Sequence, residues 1–92
     1  MEDILNSQWR PSEEAMANTV GDEMVILHLG NRAYFGLDAI GTEFWERLNR
    51  QERPDRICAA IAADYDVELA SVEQDIRSFM AELIANNLIV PA

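Results

Sequence analysis

The sequence predicts an α+β domain of winged-helix-like form, a three-stranded antiparallel sheet followed by three helices. Three observations predict it. Apolar residues alternate with a period of two between Ala15 and Leu37, and beyond Leu37 they recur about every 3.6 residues. Two turn-forming dipeptides, Gly21-Asp22 and Gly30-Asn31, cut the alternating region into three runs. A chain of 92 residues has room for one core. Three helices cannot all hide behind one short meander, so they are expected to form a bundle with the sheet along one side.

Residues 1–14 carry few periodic apolar positions and read as a flexible N-terminal arm, with Trp9 and Pro11 able to dock on the domain of residues 15–92. "AMANTV", residues 15–20, suits a first strand. "EMVILHL" is a second, with Val25, Leu27 and Leu29 on one face and Met24, Ile26 and His28 on the other. "RAYFGL" from Arg32 to Leu37 is a third, with Ala33, Phe35 and Leu37 facing opposite to Arg32 and Tyr34. Asp38 then caps a helix, because its carboxylate can accept the free amides of the first turn. Ile40, Phe44, Trp45 and Leu48 form that helix's apolar stripe. Pro54 suits the first turn of a second helix, where its missing donor costs nothing, and Ile57, Cys58, Ile61 and Tyr65 form its buried face. Ser71 with Gln74 matches a capping box for a third helix. Val72, Ile76, Phe79, Met80, Leu83 and Ile84 make its wide stripe. Asn86-Asn87 ends it through a left-handed cap, and "LIVP" packs back on the body.

The chemistry is sparse. The formal charge is −10, and all seven basic residues are arginine. A field of this sign repels nucleic acid and favours neutral or basic partners. No apolar run approaches the roughly 18 residues of a membrane span. The acidic N-terminus lacks the features of a secretory signal, and the lone cysteine fits a cytoplasmic location. His28 lies in an apolar strand and reads as structural. Cys58 reads as a small core residue with no base or cation to activate it. One cysteine and one histidine do not make a zinc site, and no glycine-rich phosphate loop occurs. No catalytic residues, metal or cofactor are therefore expected. Two binding modules fail on particular residues. An acyl carrier would need a serine where Ala39 follows Asp38. A winged-helix DNA binder would need a basic third helix, whereas Arg77 here faces Glu73, Asp75 and Glu82.

One resemblance covers residues 15 to 90. "VILHLGNRAYFGLDAIGTEFWERL" resembles the signature of PqqD-like proteins through Tyr34, Phe35, Leu37, Asp38, Gly41 and Trp45. "RPDRICAAIAADYDVELASVEQDIRSFMAELIANNLIV" is similar to that family's second and third helices. The resemblance implies a recognition element for ribosomally synthesised, modified peptides. Such a protein binds the precursor's leader and presents the core to processing enzymes. The discrete form is most like those of lasso-peptide systems, whose partner is a separate cysteine-protease-type leader peptidase. A radical-enzyme pathway, for pyrroloquinoline quinone or a sactipeptide, is the alternative.

Physical chemistry points to the same place independently. The third strand of a meander has an unpaired edge, here Asn31, Arg32, Ala33, Tyr34, Phe35, Gly36 and Leu37, and an edge is a template for another strand. The third helix is its natural wall. Asp75 flanks the stripe, and Ile76, Phe79, Met80 and Leu83 divide between core and groove.

Overall fold

The computed structural model describes residues 3–92; of the expected arm, Met1 and Glu2 lie outside the described residues. The expected α+β order is present. A short 3-10 turn, Ile4–Asn6, precedes β1 (Trp9–Pro11), β2 (Ala15–Val20), β3 (Glu23–His28) and β4 (Tyr34–Leu37). Then come α1 (Ala39–Asn49), α2 (Pro54–Tyr65), α3 (Leu69–Ala85) and a last strand, β5 (Ile89–Pro91). β2, β3 and β4 form the antiparallel meander in that order. Gly21 carries the positive φ, 65°, that a two-residue hairpin loop needs at its first position.

The helices follow from their stripes. Asp38 caps α1 by accepting the Gly41 amide at 2.7 Å, and Phe44, Trp45 and Leu48 are buried. Pro54 opens α2, with Ile57, Cys58 and Ile61 inside. Val72, Ile76, Met80 and Leu83 of α3 close the core from the other side. The end of α3 is a Schellman motif: the Leu88 amide donates to the Leu83 carbonyl at 2.9 Å and the Asn87 amide to Ile84 at 3.0 Å. Asn87 takes the left-handed φ of 58° that this requires. Leu88 and Ile89 are thereby turned into the core. Arg47 ties α1 to its surroundings through Glu43 and Glu52, both at 3.0 Å, and reaches Asp64 of α2 at 3.6 Å.

Four expectations are corrected. The arm is not loose over residues 3–11. Leu5 is buried, β1 pairs antiparallel with β5, and the Trp9 indole donates to the Ile4 carbonyl at 2.9 Å. Arg77 on α3 also holds the Asp3 carboxylate, with Nε at 3.1 Å. A three-residue strand has too little alternation to be read alone, and its partner lies about eighty residues away. The capping box is absent, because α3 starts at Leu69 after Glu68 and Ser71 lies inside the first turn. Tyr65 is not in the buried face of α2. It ends the helix 42 % exposed, just before Asp66 turns left-handed. Finally, the third strand begins at Tyr34 rather than Arg32. Arg32 has φ 61° and gives its amide to the His28 carbonyl at 2.9 Å, so the chain is still turning there.

Candidate functional site

The meander has two free edges, and only one of them has a wall. Along β2, Met16 to Val20 are all exposed among the described residues. β4 is different. Its Asn31 end reaches the C-terminus of α3, where the Asn31 side-chain amide donates to the Asn86 carbonyl at 3.2 Å. At the other end, Asp38, Ile40 and Gly41 meet Asp75, Ile76 and Phe79 of α3 around a pocket of about 210 Å³. The edge of β4 and the helix are therefore linked at both ends, with a groove opening at the Asp38 end.

The register settles which backbone groups face that groove. The His28 amide donates to the Ala33 carbonyl at 2.8 Å, and Ile26 and Met24 stand opposite Phe35 and Leu37. Antiparallel pairing alternates, so Phe35 and Leu37 spend their backbone groups on β3, as does the Ala33 carbonyl, while the Ala33 amide donates to Asn31 Oδ1 at 2.9 Å; Tyr34 and Gly36 point theirs outward. The other side of β3 agrees: the Leu29 amide bonds the Glu14 carbonyl at 2.9 Å, which assigns the odd residues of β3 to β2. An N–H and a C=O at each of Tyr34 and Gly36 are thus free for another strand. Side chains leave room for it. A Cβ at Gly36 would meet nothing within 4 Å, and Tyr34 is 70 % exposed. Phe35 and Leu37 anchor the strand inward.

His28 braces the turn into β4. Its Nδ1 accepts the Gly30 and Asn31 amides at 3.0 and 3.1 Å, while Nε2 lies 3.3 Å from the Glu14 carboxylate. It is buried and fully occupied in structure. Cys58 is also buried, and desolvation, with Glu73 adding, pushes its thiol up to about 11. A thiol held that high is no nucleophile at neutral pH.

The residues singled out on α3 divide clearly. Met80 and Leu83 are fully buried and belong to the core. Ile76 is 2 % exposed and only floors the pocket. Phe79 is half-buried, stacks edge-on against Phe44 with ring centres 5.7 Å apart, and stands 3.5 Å from where a Gly41 Cβ would sit. Asp75 is exposed at the rim. On the same helix face, Glu82 and Asn86 follow Phe79 at the next turns. Ile40 belongs to the site too. It bridges the pocket to a second apolar one of about 150 Å³ lined by Val67, Ser71 and Val72. The apolar stripe of α1 marks Ile40 as core alone, and Glu82 and Asn86 show themselves only once the face of α3 is known. Asn31, Arg32 and Ala33 form the turn at the mouth of the groove rather than its edge. A larger hollow of about 540 Å³ beside Asp22, Glu43 and Glu46 is wide open and carboxylate-lined.

Among the described residues no group of His, Cys, Asp and Glu is placed to hold a metal ion, and no helix is long and apolar enough to cross a membrane.

Comparisons bear on the site as a whole. The family model described as "Coenzyme PQQ synthesis protein D (PqqD)" matches residues 23–89, from the second strand of the meander to β5. The solved structure "TbiB1 in Complex with the TbiA(beta) Leader Peptide" superposes with a TM-score of 0.80 at 39% identity, covering 87% of this chain and 93% of that one. "Lasso peptide synthetase B1 complexed with the leader peptide" superposes with a TM-score of 0.81 at 23% identity, over 90% of this chain and 98% of the other, and speaks for the fold. No curated protein matches the chain.

Proposed function

The chain belongs to the PqqD family, and from that premise we propose that it is a non-catalytic recognition protein which binds the leader of a ribosomally made precursor by strand addition to β4. The observation that carries the reading is the pair of outward backbone positions, Tyr34 and Gly36, set across a groove from α3. Up to four ladder bonds at a net ~1 kcal/mol each supply much of a micromolar affinity before ordering costs. Backbone pairing is nearly blind to sequence. Selectivity therefore belongs to the wall: Phe79 and Ile40 take an apolar leader side chain, and Asp75 meets a polar or basic one.

The bound partner is then handed to a separate enzyme, a cysteine-protease-type leader peptidase of a lasso-peptide system. The likeness to TbiB1, which was solved with a leader peptide, supports leader binding, and the resemblance to the discrete lasso-peptide proteins favours that type over a radical-enzyme pathway. The acidic charge supports a peptide rather than a nucleic acid as ligand. The buried, high-pKa thiol supports the absence of a catalytic role for Cys58. Calorimetric titration with the leader of the cognate precursor tests the reading. Saturable one-to-one binding is expected, and no binding would refute it.

A further inference from the structure

The meander has a second feature that leader binding at the β4 edge leaves unused. Its outward face is apolar toward the Gly30–Ala33 end. Met16, Leu27 and Tyr34 stand directly opposite one another on the three strands, forming one row across the sheet. They are 48 %, 41 % and 70 % exposed, and Leu29 just beyond is 56 % exposed. Polar residues would serve an idle sheet face better, since antiparallel sheets that meet water usually alternate apolar inside with polar outside. A contiguous exposed apolar patch marks an interaction site.

We propose that this row is the docking surface for the processing enzyme, through an apolar patch ringed by basic groups; the inference rests on the leader-binding reading. Chain polarity places the enzyme there. A strand added antiparallel to β4 runs from the Leu37 end to the Tyr34 end. Its C-terminal continuation, which carries the segment to be processed, leaves beside the Gly30–Ala33 turn. Of the outward rows, the one through Met16, Leu27 and Tyr34 lies nearest that exit, with Leu29 at its border. Tyr34 belongs to both surfaces, since its backbone faces the leader and its side chain the enzyme. An enzyme seated on the row meets the substrate as it emerges.

Charge selects the occupant. From residue 13 to residue 37 the chain carries Glu13, Glu14, Asp22 and Glu23 against a single arginine, Arg32. A second copy would bring two chains of charge −10 face to face. An apolar patch with a basic rim is the complementary surface.

The test uses Leu27→Glu and Met16→Glu, with Leu29→Glu as a further exposed site if either fails to give the native amide spectrum. Each full-length variant is titrated separately with the cognate leader and with the leader peptidase of the same pathway. Peptidase affinity should fall about tenfold or more, as at an interface centre, with leader affinity unchanged. Undiminished peptidase binding in the folded variants overturns the proposal. So does a wild-type dimer in sedimentation that Leu27→Glu separates, because the row would then bind a second copy. If the leader fails to bind wild type while the peptidase is still held through Leu27, the leader-binding reading falls and the docking surface stands.

Discussion

Tyr34→Pro, read by leader binding alone, probes the open edge of β4. The tyrosine amide points outward and makes no bond to β3, so its removal takes no hydrogen bond from the sheet. Proline is tolerated on an edge strand for that reason. Little packing is lost, because the side chain is 70 % exposed. Stability should therefore change by no more than about 1 kcal/mol. Leader binding should change far more. One of the four outward groups is gone, and the leader carbonyl opposite it is left without a donor. An orphaned acceptor costs about 1–3 kcal/mol, which at 1.4 kcal/mol per decade is roughly a fivefold to hundredfold loss of affinity. Phe35→Pro is the control: its amide belongs to the β3 pairing, so it should lower the thermal midpoint markedly. Calorimetric titration of the leader, beside thermal unfolding of each variant, measures both quantities. Wild-type leader affinity in a folded Tyr34→Pro would refute strand addition at this edge.

Asp75→Ala removes an exposed carboxylate at the rim, so it should spare the fold and weaken leader binding by on the order of 1 kcal/mol in titration. Met80→Glu, by contrast, buries a charge at a site with no exposure and should unfold the domain by circular dichroism, at a cost of several kcal/mol. Cys58→Ala should leave leader binding unchanged, and the native thiol should resist alkylation at neutral pH because it titrates near 11; fast modification of folded protein would contradict its burial. The Asp3 carboxyl is held below its ordinary 3.8, first by hydrogen bonding to Arg77. A depressed folded-state pKa stabilises above 3.8 and loses that contribution as pH falls through the folded value. Arg77→Ala should flatten this part of the acid unfolding curve, and an unaltered curve would show that the pair does not anchor the arm.

The meander and the three helices were legible because their signals are local. Alternation, a Gly-Asp turn, an aspartate cap and a 3.6-residue stripe each lie within a few residues of one another. The β1–β5 ribbon was not legible, because its two short strands specify each other only across the length of the chain. Arg32 misled for a related reason. Its identity suits a strand, but the His28 brace on the Gly30 and Asn31 amides, with the Asn31 side chain accepting the Ala33 amide, keeps the backbone turning two residues further. On α3 the stripe alone could not separate core from groove. Met80 and Leu83 lie on the side facing α2 and the sheet, whereas Phe79 and Asp75 fall on the side opposite Gly41 and Asp38. That division depends on where α1 begins. The outward row of Met16, Leu27 and Tyr34 was visible as an alternation but not as a row, because its alignment needs the register of all three strands.

Amide hydrogen exchange followed by NMR, with and without the leader, tests the central claim most directly. Strand addition predicts that the Tyr34 and Gly36 amides, free in the unbound protein, become protected on binding, while Phe35 keeps the protection that pairing with β3 already provides. If those two amides exchange as fast as before, and protection appears instead at Ala17 and Thr19 on the outer edge of β2 or within residues 43 to 61 of α1 and α2, the leader binds elsewhere and the account is wrong.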